Sequence, residues 1–153
     1  MTADVIILSA IVCVLVLVII DDIRNYQIKN SAVITLFCII IFQFLIQADF
    51  YQFIAHVVFS AAAFGVLTFA FRRRLLGGGD TKLLTIAFLG VGPERALVYA
   101  IFLLMFSVIY WGGAKLDIVP SQRIGTQLKI PFGPSIAGAW IATIVAFAVQ
   151  QQG

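Results

Sequence analysis

Acidic residues at two places in an otherwise apolar chain have the residue type and placement that chemistry requires. Asp21 and Asp22 stand at the end of the first apolar run, and Asp80 follows three glycines inside residues 75–84, which read LLGGGDTKLL. An ionisable group at membrane depth is costly, and an acid at a helix C-terminus opposes the helix dipole. Helix stability therefore does not account for Asp22. One interpretation is that the acids only mark the membrane surface, and the other is that they work as a pair.

A pair of carboxyl groups from different helices is sufficient equipment for hydrolysing an amide. One carboxylate accepts a proton from water as the water attacks the carbonyl carbon, while the second, protonated, stabilises the oxyanion and supports departure of the amine. A helix N-terminus and a nearby Lys82 favour the ionised form of Asp80, whereas apolar surroundings favour the protonated form of Asp22. We therefore predict Asp80 as the base and Asp22 as the acid.

Other catalytic classes are poorly supported by the residues present. The glycine run lacks the Gly-Lys-Ser/Thr ending of a phosphate loop, and the chain has one His and no Gly-x-Ser-x-Gly elbow, which argues against zinc and serine chemistry. We predict neither a cofactor nor a metal. His56 is interpreted as an interfacial or helix-packing residue rather than a metal ligand. The three glycines allow backbone conformations closed to other residues and close approach by another chain. A simple helix break or a close helix-packing surface would also explain them.

The composition is typical of an integral membrane protein. Of 153 residues, 62% are hydrophobic and 11% charged, with a mean hydropathy of +1.09, which is unlike an ordinary soluble domain. The first apolar run lacks a basic start and a small-residue cleavage site, so it is expected to be a retained span. Cys13 and Cys38 lie inside apolar runs and are expected to be buried. No basic face interleaved with aromatic residues is present, so no nucleic-acid partner is predicted.

Six apolar runs predict an all-α integral membrane protein with six transmembrane helices in a single domain, residues 1–153. The fourth run is too short to span a bilayer alone, so we expect its helix to begin in the glycine segment, which would place Asp80 at or below the membrane surface. The six runs are residues 5–20, 32–46, 53–71, 83–91, 96–111 and 135–149.

The basic residues predict how these helices cross the membrane. Nine of the ten lie on the first, third and fifth connections between helices, and only Arg95 lies on the other side. The positive-inside rule places those three connections in the cytoplasm and both termini outside. Both acids then face the cytoplasm. The nine residues are Arg24, Lys29, Arg72, Arg73, Arg74, Lys82, Lys115, Arg123 and Lys129.

Three short motifs, in order along the chain, resemble those of a known family. Residues 77–82 read GGGDTK and match the GxGDxK motif of the prepilin peptidases, the type IV leader peptidases among the membrane aspartic proteases. Residues 22–30 read DIRNYQIKN and resemble that family's first-aspartate segment, with Lys29 in place of its usual proline. Residues 131–134 read PFGP, similar to the sequence that opens the family's last helix. The three motifs together make the resemblance specific.

The resemblance implies roles for residues in all three motifs. Asp22, rather than its neighbour Asp21, is implied as one catalytic residue because Arg and Asn follow it at the family's spacing. Asp80 is implied as the other. Further residues are implied to shape the site or bind substrate: Gly77, Gly78, Gly79, Lys82, Arg24, Asn30, Pro131, Gly133 and Pro134.

The function implied by the resemblance is removal of the basic leader peptide from prepilin or pseudopilin precursors, on the cytoplasmic face of the bacterial inner membrane. The chain is similar to the short forms associated with tight-adherence (Flp-type) pili and lacks the cysteine-rich region that accompanies methyltransferase activity in larger relatives, so peptidase activity alone is expected. Two alternatives stay open. One is a non-enzymatic proton-coupled carrier or secretion-system assembly subunit, and the other is a related protease acting on preflagellins.

Overall fold

A computed structural model of the protein describes residues 2–116, 122–124, 127–129 and 131–150. The elements in chain order are α1 (Thr2–Asn25), α2 (Asn30–Gln47), α3 (Phe50–Arg72), α4 (Gly78–Lys115), β1 (Gln122–Ile124), β2 (Gln127–Lys129) and α5 (Gly133–Gln150). The all-helical class predicted from the apolar runs is confirmed, with one addition. β1 and β2 form a short antiparallel hairpin between α4 and α5, with Gln122 opposite Lys129.

The helices are those of a multi-pass membrane protein. Within the described residues, α1 to α4 are long and apolar enough to cross a membrane, and α5 has a shorter apolar stretch, Gly133–Val149. Large apolar side chains such as Leu45 and Leu97 are exposed on the helix surfaces, which suits contact with lipid rather than water. Cys13 and Cys38 are also exposed, so the expectation that they are buried is wrong. An apolar run does not reveal which helix face meets lipid, because lipid is as apolar as a protein core.

The structure has five helical elements in the described part of the chain, where six separate helices were predicted. The predicted fourth and fifth helices form the single element α4, which reverses direction at Gly92, where φ is 73° and ψ is 174°. The rings of Phe88 and Tyr99 lie 5.5 Å apart, although a straight helix would separate residues with that spacing by about 16 Å. We call residues 78–91 the first arm of α4 and residues 93–115 the second arm.

The reversal of α4 is stabilised by a histidine from α3. Pro93 has no N–H, so the carbonyl of Leu89 loses the partner that a continuing helix would provide. The buried His56 supplies that partner, because its Nδ1 lies 2.8 Å from the Leu89 carbonyl oxygen and must carry the hydrogen to donate to it. A Cβ on Gly92 would overlap the His56 ring. Glycine is therefore required at this position by both its positive φ and its contact.

The first arm of α4 packs closely between α3 and α5. Ser60, one turn beyond His56 on α3, donates to the carbonyl of Thr85 at 2.9 Å. On the opposite side, a Cβ on Gly90 would lie 2.6 Å from Cζ2 of Trp140 in α5, so this glycine permits the close approach of two helices. The largest fully buried side chains are Trp140, Tyr99, Leu15, Leu36, Ile40, Leu83 and Ile136. This core holds α1, α2, α4 and α5 together beneath the ends that carry the acids.

The last turns of α1 extend past the predicted end of the first apolar run. The helix has 24 residues, or about 36 Å at the usual rise, against a hydrocarbon core of about 30 Å. Asp21 and Asp22 therefore belong to the helix itself. It ends where Tyr26 adopts a left-handed φ of 51°, with its N–H donating to the Asp22 carbonyl at 2.8 Å, as is common at helix C-termini.

Candidate active site

Asp22 is a buried carboxyl group held by the beginning of another helix. Its side chain lies in the last turns of α1 and is 4% exposed. The backbone N–H of Gly133, the first residue of α5, donates to Asp22 Oδ2 at 2.8 Å. A Cβ on Gly133 would lie 2.6 Å from the same oxygen. The residue must therefore be glycine for the carboxyl group to come this close, and α1 and α5 are joined at the site.

Asp80 lies in the first turn of α4, one turn after the glycine that precedes the helix. Its carboxyl group is half-buried and rests against Gly77, where a Cβ would lie 2.7 Å from Asp80 Oδ2. A Cβ on Gly79 would similarly lie 3.2 Å from Cβ of Ile28. Close approach thus explains two of the three glycines, and a Cβ on Gly78 would make an ordinary contact with Phe71.

The glycine run before Asp80 does not use the backbone conformations that only glycine can adopt. Gly77 has φ −73° and ψ 153°, an extended conformation that any residue can adopt. Among the described glycines, the positive φ occurs at Gly92. The glycines beside Asp80 therefore serve to make room rather than to bend the chain. The start of the helix is completed by Thr81, whose hydroxyl donates to the Gly77 carbonyl at 2.9 Å.

The two carboxyl groups share one cleft, although 58 positions separate them in the sequence. The cleft has a volume of about 320 Å³, and Asp22 and Asp80 lie near enough in it to interact electrostatically. Because α1 ends here while α4 and α5 begin here, three helix termini surround the acids. The other lining residues are Tyr26, Gln27, Ile28, Gly77, Gly78, Gly79, Pro131 and Phe132.

The remaining residues implied by the motifs occupy different places. Lys82 Nζ donates to Asn30 Oδ1 at 3.0 Å, a contact that ties the start of α4 to the start of α2. Lys82 was predicted to favour the ionised form of Asp80. The hydrogen bond that the structure describes for its amine goes instead to α2. Arg24 is exposed on the last turn of α1, and Pro134 is buried in the first turn of α5. Neither is among the described residues that line the cleft.

The departure from the family pattern at Lys29 has a physical explanation in the backbone. Lys29 precedes α2 with φ −69° and ψ 134°, and this φ lies within the range that proline imposes. Its amine also forms an ion pair with Asp21 Oδ1 at 3.0 Å. The chain therefore keeps the conformation of a proline at this position and adds a contact between α1 and the connection that follows it.

Sequence reasoning missed two groups of residues near the acids. Tyr26, Gln27 and Ile28 line the cleft and could have been found, since they lie inside the first motif. Tyr110 also lies near enough to Asp22 to interact electrostatically, but it belongs to a long apolar run and carried no signal. The reversal of α4 at Gly92 is what returns Tyr110 to this end of the bundle.

Metal ligands are not grouped in the part of the chain that the structure describes, where no three His, Cys, Asp or Glu side chains could hold an ion together. What the arrangement offers is two carboxyl groups, one buried and one half-buried, around a cleft wide enough for a small ligand. This is the equipment for moving protons to and from water or a polar substrate.

The fold and the site define an integral membrane protein with paired carboxyl groups at one end of a helical bundle. A model of the type IV leader peptidase family matches residues 9–113, and the chain belongs to that family. It is therefore a membrane protease of the prepilin peptidase type. The matched range contains both Asp22 and Asp80, whereas the PFGP sequence lies outside it. No curated protein and no solved structure matched the chain.

Proposed function

We propose that the protein is an aspartic endopeptidase that removes the basic leader from type IV pilin-like precursors, with Asp22 and Asp80 as the catalytic pair. The observation that carries this proposal is the single cleft lined by both carboxyl groups. Family membership supports the reaction class, and the cleft supports the choice of residues. We take the peptidase domain to extend over residues 1–153, since α5 supplies the hydrogen bond to Asp22.

The reaction needs one proton shared between the two acids. One carboxylate accepts a proton from a water molecule while the water oxygen attacks the scissile carbonyl carbon. The other acid, protonated, stabilises the oxygen that becomes negative, and a proton then passes to the departing amine as the carbon–nitrogen bond breaks. Two carboxyl groups in electrostatic contact favour such a singly protonated state, because two adjacent negative charges repel.

The walls of the cleft suit an extended peptide. Its volume of about 320 Å³ is at the lower end of the range for small-ligand sites. Gly77, Gly78 and Gly79 form one wall, and glycines leave backbone hydrogen-bonding groups accessible to an approaching chain. A substrate lying along this wall would present its backbone to Asp80, while Asp22 lines the same cleft.

The distribution of charge supports a cytoplasmic site. The helices α1 and α3 end at the same end of the bundle. The first arm of α4 begins there, and the second arm ends there. Basic residues of the described chain concentrate at this end: Arg24, Lys29, Arg72, Arg73, Arg74, Lys82 and Lys115. Arg95 lies by the reversal of α4, at the other end. By the positive-inside rule the cleft faces the cytoplasm of a bacterial inner membrane and the N-terminus lies outside, and Flp-type prepilins are the substrates we propose.

The proposal is tested by co-expressing the chain with candidate prepilins, Flp-type ones included, and measuring the mass of each product. The wild-type protein should shorten a prepilin by its leader. Asp22→Asn and Asp80→Asn should each lower processing by at least about 10²-fold, because each removes one partner in proton transfer. Both variants should remain folded, since neutralising a buried charge relieves its desolvation.

Asp21→Asn is the matched control, because it makes the same chemical change one residue from Asp22. Asp21 pairs with Lys29 rather than lining the cleft, so this variant should process normally. Full processing by either Asp22→Asn or Asp80→Asn would reject the catalytic pair. A wild-type protein that cuts preflagellins but no prepilin would keep the pair and reject the substrate class.

A further inference from the structure

The hydroxyl group of Tyr110 is a buried polar group that the two carboxyl groups do not explain. Tyr110 lies in the second arm of α4, and its hydroxyl oxygen is inaccessible and has no hydrogen-bond partner among the described residues. A buried donor without a partner costs free energy, so native proteins seldom retain one without a reason. A partner that arrives only with the substrate would be such a reason.

Tyr110 lines a cavity that adjoins the cleft containing the acids. It lines a largely apolar cavity of about 400 Å³ together with Ser107, Val108, Trp111 and Ser135. Pro131 and Phe132 line both this cavity and the cleft that contains the acids. The phenol is also near enough to Asp22 and Tyr26 to interact electrostatically with both. A peptide held between the carboxyl groups would therefore have the Tyr110 side chain beside it.

Tyr99 shows that an unpartnered hydroxyl alone does not indicate a site. It belongs to the same arm of α4, and its buried hydroxyl also lacks a described partner. Its ring packs edge-on against Phe88, which lies about 12 Å beyond Asp80 along the first arm. Tyr99 lines neither cavity. Proximity to Asp22 and to the shared walls distinguishes Tyr110.

We propose that Tyr110 is a third catalytic residue, whose hydroxyl donates a hydrogen bond to the carbonyl oxygen of the scissile peptide. When water adds to the carbonyl carbon, the carbon–oxygen π electrons move to that oxygen, and the phenol O–H stabilises the charge while keeping its own proton. The proton of the water goes to a carboxylate as described above. This proposal rests on the proposed function, since it needs a peptide between Asp22 and Asp80.

The test compares Tyr110→Phe with Tyr99→Phe, each of which removes one buried hydroxyl from the same arm of α4. Both purified variants are assayed in lipid vesicles with a synthetic prepilin-like peptide. Tyr110→Phe should lower kcat by about 10²-fold, the usual effect of losing one oxyanion donor. KM should change much less than kcat, because the hydrogen bond strengthens when the carbonyl oxygen becomes negative in the transition state. Neither variant should unfold at a lower temperature, and Tyr99→Phe should keep the wild-type kcat.

A second measurement separates catalysis from packing. A peptide carrying a tetrahedral hydroxymethylene group in place of the scissile amide should bind Tyr110→Phe more weakly by about the same factor as kcat falls, as expected of a transition-state analogue. Wild-type kcat in Tyr110→Phe would overturn the proposal. So would a loss of kcat accompanied by unchanged affinity for the analogue and a lower unfolding temperature.

The same assay keeps this inference apart from the function on which it rests. Asp22→Asn and Asp80→Asn are measured beside the tyrosine variants. If the aspartate variants are inactive and Tyr110→Phe is fully active, only the role of Tyr110 is rejected. If the aspartate variants cut the peptide, the carboxyl pair is rejected whatever Tyr110→Phe does.

Discussion

The two ends of the bundle use the same devices for opposite purposes. At the reversal of α4, a glycine makes room for His56, and the imidazole donates to a backbone carbonyl that would otherwise lack a partner. At the cleft, Gly133 makes room for Asp22 and donates its backbone N–H to that carboxyl group. The first arrangement is a closed joint between two helices, whereas the second borders a cavity of about 320 Å³.

The difference lies in how donors and acceptors are matched. Along α3, His56 and Ser60 each donate to one carbonyl of the first arm of α4, which matches two donors to two acceptors. At the other end, Asp22 and Asp80 line one cleft, and the buried hydroxyl of the nearby Tyr110 has no partner among the described residues. Incomplete matching around a cavity is what a substrate can complete, so it is a sign of function rather than of poor packing.

The largest effect on stability is expected from Gly92→Ala, which disrupts the contact between α3 and the reversal of α4. The new Cβ would overlap the His56 ring, and the residue would have to keep a positive φ. Together these should lower the free energy of unfolding by about 3 kcal/mol or more. Thermal unfolding in detergent, with the yield of folded protein, measures this. A variant as stable as the wild type would show that the joint does not hold the fold.

At the cleft, Gly133→Ala should act on activity more than on stability. The Cβ would displace the Asp22 carboxyl group, and a displacement of about 1 Å in a catalytic group lowers kcat/KM by up to about 10²-fold. Gly138→Ala is the matched control in the same helix, since its Cβ would make only ordinary contacts with Phe106. Equal activity in the two variants would show that Gly133 does not position Asp22.

Removing the histidine separates the two ends of the bundle directly. His56→Ala leaves the Leu89 carbonyl without a partner, which should cost about 1–2 kcal/mol of stability. We expect kcat/KM for peptide cleavage to stay near the wild-type value at temperatures where the variant remains folded. Ser60→Ala should cost less, because the Thr85 carbonyl keeps its helical partner. A selective loss of activity in His56→Ala would mean that the joint and the cleft are coupled.

The smallest effect is expected from Lys29→Pro, which restores the residue typical of the family. The backbone at Lys29 already has a φ that suits proline. Proline should therefore raise the free energy of unfolding by about 0.4–1 kcal/mol, because it restricts the unfolded chain. It also removes the ion pair with Asp21, whose partners are 60% and 27% exposed, at a cost of about 0.2–1 kcal/mol. The unfolding temperature should therefore change little. A decrease of more than about 2 kcal/mol in the free energy of unfolding would show that Lys29 stabilises the connection between α1 and α2.

Much of the fold followed from local sequence patterns. The apolar runs predicted an all-helical membrane protein, and the glycine segment predicted where α4 begins. The predicted fourth and fifth helices correspond to the two arms of α4. Hydropathy shows where an apolar run is interrupted, but it does not show that the chain turns back sharply at Gly92 and Pro93. The helix α1 continues to Asn25, beyond the apolar run that predicted it, since polar residues at the end of an apolar run can still be helical.

By itself, the sequence determined that this is a membrane protein of the prepilin peptidase type and pointed to Asp22 and Asp80, because composition and short motifs are local properties of the chain. Only the tertiary structure decided what surrounds those acids. It placed the Gly133 N–H against one carboxyl group, paired Lys82 with Asn30, and brought Tyr110 near Asp22 by reversing α4. Those contacts join residues far apart in the chain, and they depend on which helix faces pack together, which no local pattern records.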